Sequence, residues 1–198
     1  MLDTAALATL RAELAAFEGC ALKATATQMV FAGGVAGAPV CVIGEAPGAE
    51  EDKKGEPFVG RSGKVLDGLL AEIGLSRQSN VYITNAVNWR PPNNRRPTPA
   101  EIEACRPFLR RHLEIVQPAA LLLVGLTAAK AVLQTKAPMA DLRGRWLEYQ
   151  GLSRTIPTLV TFHPAFLLRN PPAKPDALQD FYRLQAFLQE RGLLQHAA

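Results

Sequence analysis

Residues 44–63 read GEAPGAEEDKKGEPFVGRSG, and immediately before them Val40, Cys41, Val42 and Ile43 form an apolar run. A buried strand that empties into a loop of glycines, acids and one phenylalanine has the character of an active site. It matches the place just past the carboxyl end of a strand where open α/β sheets hold ligands, and glycine there lets the backbone approach a ligand unobstructed. Two later segments have the same form: VYITNAVNWRPPNNRRPTP from Val81 and TFHPAFLLRN from Thr161. Each is an apolar strand followed by a polar loop marked by proline.

The elements between these loops follow from periodicity. Leu7, Leu10, Leu14 and Phe17 recur at helical spacing before Gly19, and the helix they predict is expected to pack on the sheet. Val65, Leu66, Leu69, Leu70 and Ile73 predict a second amphipathic helix that stops at Gly74. Thr98, Pro99, Ala100 and Glu101 form a capping box with proline at the first helical position, opening a helix that turns Ile102, Cys105, Leu109, Leu113 and Val116 inward. Ala120 to Val124 is an uninterrupted apolar run, as in a strand covered on both faces, and Thr127 to Leu133 returns as helix. Arg145 to Tyr149 is ambiguous; Thr158 to Phe162 reads as a strand and Asp176 to Gln189 as the last helix. Strands alternating with helices predict a three-layer α/β/α domain over residues 1–198, with a mainly parallel sheet of about four strands. All three polar loops would then leave one edge of that sheet and converge.

The chain has 198 residues and is 48% apolar, enough for a full core in one domain. Its 22 Lys and Arg against 18 Asp and Glu give a net charge of +4, compatible with a polyanion partner. Lys53, Lys54, Arg61, Lys64, Arg90, Arg95, Arg96 and Arg169 all fall in or beside the three loops, which points to a phosphate-facing rim. No apolar run is long enough to span a bilayer and the first helix carries acids, unlike a signal peptide, so no membrane partner and a cytoplasmic location are expected. Three cysteines without short spacing argue against a disulfide framework.

Together the three loops resemble the uracil-DNA glycosylase superfamily, most closely its family 4, whose members carry an iron-sulfur cluster. The resemblance covers Cys20 to about Phe181 and rests on GEAPG followed by acids and PFVG, then TN followed by RPP and NR, then HPA followed by LLR. It implies that fold, and an enzyme that flips uracil out of single- or double-stranded DNA and hydrolyses its glycosidic bond. Breaking that bond puts positive charge on the sugar and negative charge on the departing base. The resemblance gives Glu45 the sugar side, positioning or deprotonating water, and gives His163 a hydrogen bond to the uracil O2. Ala46 and Asn85 would line the base, the Asn85 amide offering the donor and acceptor that O4 and N3–H require. Phe58 would stack on the flipped base, although a core anchor pinning the loop is the alternative. Glu51 matches the position that crowds the uracil C5 atom, against the alternative of a solvated acidic run with Glu50 and Asp52. Leu167, Leu168 and Arg169 suit a wedge and a phosphate contact, with at least one leucine exposed, and Arg61 and Arg95 would face DNA.

One departure concerns the cofactor. Family 4 ligates its cluster through four cysteines, and this chain keeps Cys20 and Cys105 at the first and last of those positions, with Lys23 and Trp89 at the other two. Neither an ammonium nor an indole replaces a thiolate, and Cys41, inside an apolar strand, reads as a buried small hydrophobe. The expectation is therefore no cluster and no other metal, with Trp89 filling the volume and stapling the amino-terminal segment.

Two rivals come from other classes. Gly55 to Ser62, GEPFVGRS, is one residue from a phosphate-binding GxxxxGK loop ending in Ser or Thr, which would make a nucleotide-hydrolysing enzyme. Arg61 replaces the lysine, however, and Pro57 and Phe58 fit poorly in a cradle of amides. The other rival binds uracil-containing DNA without turnover. One relative of family 4 traps such DNA through a histidine in an extra basic loop after the second motif; that loop is missing here, and the nearest histidine, His112, lies within the following helix.

Overall fold

A computed structural model describes residues 2–195; Met1 and residues 196–198, which the one-domain expectation includes, lie outside them. The strands in chain order are β1 (Gly33–Gly34), β2 (Val40–Gly44), β3 (Val81–Asn85), β4 (Ala120–Val124), β5 (Trp146–Gln150) and β6 (Thr155–Thr161). They form one sheet in the order β1-β3-β2-β4-β6-β5. The four inner strands are parallel, β2, β3 and β4 buried along their whole length and β6 from Thr158 to Thr161, whereas β1 and β5 pair antiparallel at the edges. The expected four strands are thus the inner ones, and the sheet has six. Both additions lack an inner strand's signal: β1 is two glycines, and β5 alternates, burying only Tyr149 fully.

Each face is closed by helices. On one side α3 (Arg61–Glu72), α7 (Pro164–Arg169) and α8 (Lys174–Glu190) bring Leu66, Leu70, Leu167, Phe181 and Leu184 onto Val42, Ile83 and Leu122. On the other, α4 (Pro99–Val116) and α5 (Leu126–Leu133) bring Leu109, Leu113 and Val132 onto Ile43, Leu121 and Val160. The capping box at the start of α4 is made in both directions: the Glu101 amide donates to the Thr98 hydroxyl at 3.3 Å, and the Thr98 amide to the Glu101 carboxylate at 2.7 Å. The first helix, α1 (Thr4–Ala16), departs from expectation. It packs chiefly on α4, where Leu10 and Leu14 join Leu22, Phe31, Val87, Trp89, Cys20 and Cys105 in a third apolar cluster.

Two short helices escape the sequence reading. The acids after GEAPG are the first turn of α2 (Ala49–Lys54), and α6 (Met139–Leu142) precedes β5. No helix of the described residues is long and apolar enough to cross a membrane.

This topology positions the site. The chain runs from β2 to β3 on one side and then crosses to β4 on the other, so the carboxyl ends of β2 and β4 flank the crevice where strand order reverses. Register aligns the strand ends: Ile43 pairs with Leu123 between β2 and β4, Gly44 with Asn85, and Val124 with Thr161.

Candidate active site

Asn85, the last residue of β3, is 2% exposed, and its side-chain Oδ1 is buried without a hydrogen-bond partner. An unsatisfied buried carbonyl costs about 1–3 kcal/mol, so a fold that keeps one points to a missing ligand. Its neighbours are close. A Cβ built on Gly44 would lie 2.4 Å from Asn85 Oδ1 and 2.6 Å from ring carbons of Phe58. Only glycine fits there, because it lets the amide and the ring share the end of β2.

His163 completes this group from β6. It caps α7, its Nδ1 accepting from the Ala165 amide at 3.1 Å, and its ring lies 5.8 Å from that of Phe58. Burial first, then the charge of Arg169, press its pKa down to about 4, with Glu51 opposing. The ring is neutral at pH 7, and with Nδ1 accepting, its proton sits on Nε2, leaving one N–H to donate. Gly125, at φ 99°, follows β4 next to it; a Cβ there would come within 3.0 Å of His163 Cβ. The close approach expected of the glycines in residues 44–63 falls at Gly44, whereas Gly125 is the part of the site that sequence reasoning missed, because its role is legible only once the strand ends are aligned.

Glu45 follows Gly44 at the crevice, half-buried, its carboxylate in no hydrogen bond or ion pair among the described residues, while its carbonyl accepts from the Val87 amide at 3.2 Å. Ala46 is also half-buried and packs on the edge of the α1 cluster.

Phe58 is 6% exposed and belongs to the core beneath α3, an anchored ring that borders the site. The Glu51 carboxylate faces its own loop, accepting from the amides of Gly48 at 3.1 Å and of Val59 and Gly60 at 2.9 Å each. Asp52 is buried, bound to the Thr27 amide and hydroxyl and to the Gln28 amide, so with Glu51 half-buried only Glu50 of the three acids is exposed. With Glu51 on Val59 and Gly60, those amides cannot cradle a phosphate. The nucleotide-hydrolysing reading loses its loop.

The rim divides. Arg61, Leu168 and Arg169 are exposed. Leu167 is 4% exposed and sits in the core beside α3, so the wedge assignment is corrected for this residue: the turn of α7 that presents Leu168 at 40% exposure drives Leu167 inward. Arg95 is exposed but holds Glu101 through two hydrogen bonds of 2.9 and 2.6 Å. Among the described residues Arg61 and Arg169 have no acidic partner within 4 Å.

At the positions where the resemblance places cluster thiols, Cys20 and Cys105 are buried with their sulfurs 3.9 Å apart, and Trp89, 2% exposed, packs in the same cluster. The Lys23 ammonium is engaged elsewhere, donating to Ala15 O at 2.7 Å and pairing with Glu18 at 2.5 Å. Two thiols, an indole and a paired ammonium do not fit a four-thiolate cluster. Cys41 is fully buried in β2, its thiol pushed up to about 12 by burial.

Residues 31–184 match the profile of the Uracil DNA glycosylase superfamily. A Thermotoga maritima protein named type-4 uracil-DNA glycosylase is 39% identical over 176 residues, 87% of this chain and 90% of that relative. An Archaeoglobus fulgidus protein of the same name is 37% identical, covering 87% of this chain and 88% of its own length. With three strand-end loops gathered around an unsatisfied asparagine, and with these matches over most of its length, the chain belongs to the uracil-DNA glycosylase superfamily, among its type-4 relatives.

Proposed function

We propose that this protein hydrolyses the bond between uracil and deoxyribose in DNA, single- or double-stranded, and leaves an abasic site. The observation that carries the proposal is the buried, unpartnered Oδ1 of Asn85 beside Phe58 and His163. An acceptor at that depth matches the N3–H of uracil, and the Nδ2 of the same amide matches O4. Thymine presents the same edge, so its rejection must come from the pocket's shape around C5. Glu51 contributes by fixing the loop that forms one wall.

The flipped base enters between the ends of β2 and β6 and lies against Phe58. As the glycosidic bond lengthens, negative charge gathers on O2, and the Nε2–H of His163 donates to it. A neutral donor held by the Ala165 amide needs no reorganisation at that moment. On the other side the free carboxylate of Glu45 orients water towards C1′ and offsets the sugar's positive charge. Leu168 enters the duplex in place of the base, while Arg61 and Arg169 meet phosphates. No step uses a metal, nucleotide or iron-sulfur cluster, and the expected setting is the cytoplasm.

The test is base release from uracil-containing single-stranded and duplex oligonucleotides, with thymine and cytosine controls and chelator present. Free uracil and abasic sites in multiple turnovers support the proposal. A tight complex without release means a binding module, and uncut oligonucleotide at excess protein rejects the glycosylase.

A further inference from the structure

The loop between α2 and α3 is closed by two charged side chains. Its amides at Val59 and Gly60 go to Glu51, and its carbonyls go to Arg77, a residue about twenty positions away in the turn after α3. Arg77 Nη1 donates to Pro57 O at 3.0 Å and Nη2 to Phe58 O at 2.8 Å, while Nε donates to Asp67 at 2.8 Å. Glu56 lies 3.7 Å from the same guanidinium, whose side chain is 9% exposed. Between these two clamps Phe58 holds φ 54°, a left-handed backbone that is strained for a bulky residue and persists only where its surroundings over-determine it. The fit is tight on the α3 side as well, where a Cβ on Gly63 would come within 1.8 Å of Phe58 O.

We infer that Arg77 is a positioning residue for base capture, acting through the Phe58 backbone to hold the aromatic wall of the uracil pocket. The inference rests on the glycosylase reading. Two neighbouring carbonyls and a carboxylate need donors in a planar fork, which arginine supplies and lysine does not. Asp67 fixes the rotation of that fork. Arg77 itself meets no base, sugar or phosphate, so its loss should act on the pocket and spare DNA grip, which the exposed rim of α3 and α7 supplies.

The experiment compares wild type with Arg77→Ala and Arg77→Lys on three readouts: uracil release, inhibition by free uracil, and affinity for DNA carrying a tetrahydrofuran abasic analogue. A misplaced wall costs about tenfold to a hundredfold in kcat/KM, as expected of sub-ångström to ångström displacements near reacting groups. The inhibition constant for free uracil should rise by a similar factor, abasic-analogue affinity should stay within about twofold of wild type, and millimolar guanidinium should partly rescue Arg77→Ala but not Arg77→Lys. Should Arg77→Ala fail to fold, Asp67→Asn keeps the fork but frees its rotation and should shift the first two readouts in the same direction by less. Unchanged uracil inhibition and release in a folded variant overturns the inference, as does an equal loss of abasic-analogue affinity. Wild-type protein without uracil release fails the underlying reading instead, and uracil binding by equilibrium dialysis then decides for or against the clamp.

Discussion

Asn85 and Trp89 are four residues apart on the same segment and illustrate opposite uses of burial. Trp89 is 2% exposed and shares an apolar cluster with Leu10, Leu14, Leu22, Phe31, Cys20 and Cys105. Asn85 is as deeply buried, yet keeps an acceptor without a donor. Around Trp89 the chain joins α1, the segment after it and α4 into one apolar body. Lys23 adds to it by placing its ammonium on a carbonyl of the last turn of α1, where the helix dipole favours a cation. Around Asn85, glycines replace side chains, Phe58 keeps a left-handed backbone, and a histidine is held neutral. The first region is a packed apolar cluster; the second keeps a buried acceptor unsatisfied.

If that division is right, mutations on the two sides should separate activity from stability. The largest effect on rate is expected from Glu45→Ala and His163→Ala, each slowing uracil release by roughly two to four orders of magnitude, with little change in melting temperature for Glu45→Ala. Single-turnover rates near wild type in both variants would break the comparison. On the other side, Trp89→Ala should cost about 3–5 kcal/mol of stability by opening a cavity, measured by denaturant unfolding, while the folded fraction keeps its rate. Asn85→Asp should follow: the carboxylate offers no donor to O4, so uracil release falls, and release of cytosine, with its N4 donor, becomes detectable. Unaltered uracil release would mean that Asn85 does not read the base.

Smaller effects sharpen the picture. His112 and His163 are both pressed to about 4 by burial, against an ordinary value of 6.5. The unfolded chain takes up these protons near pH 6.5 and the folded chain only near pH 4, so unfolding binds protons in that window. Stability from both groups is full above pH 6.5 and is lost as pH falls towards 4; His112→Gln should flatten part of that slope in unfolding curves. The smallest change belongs to Arg169→Ala, expected to lower the slope of log affinity against log salt by about one unit, because one phosphate contact is lost. An unchanged slope would remove Arg169 from the interface.

The sequence made the inner strands legible because uninterrupted apolar runs such as Ala120 to Val124 match strands buried on both faces. The start of α4 was equally plain, since its capping box is written in four consecutive residues. Edge strands were not: β1 is two glycines, and β5 alternates too weakly to separate from a loop. At the site, the motif loops pointed to Glu45, Asn85 and His163, but which leucine of α7 faces solvent depends on how α7 seats against α3. The work of Glu51 and Arg77 was hidden for a different reason. Both bind backbone atoms of residues many positions away, and backbone partners leave no trace in side-chain type.

The expectation that this chain carries no cluster, with Trp89 packing beside Cys20 and Cys105 in its place, is the one most directly open to test. The most direct measurement is the iron and acid-labile sulfide content, per chain, of protein purified without oxygen and active on uracil-containing DNA. The account predicts a colourless protein with negligible iron and sulfide. A brown protein with near-stoichiometric iron would contradict it, and would require ligands beyond Cys20 and Cys105.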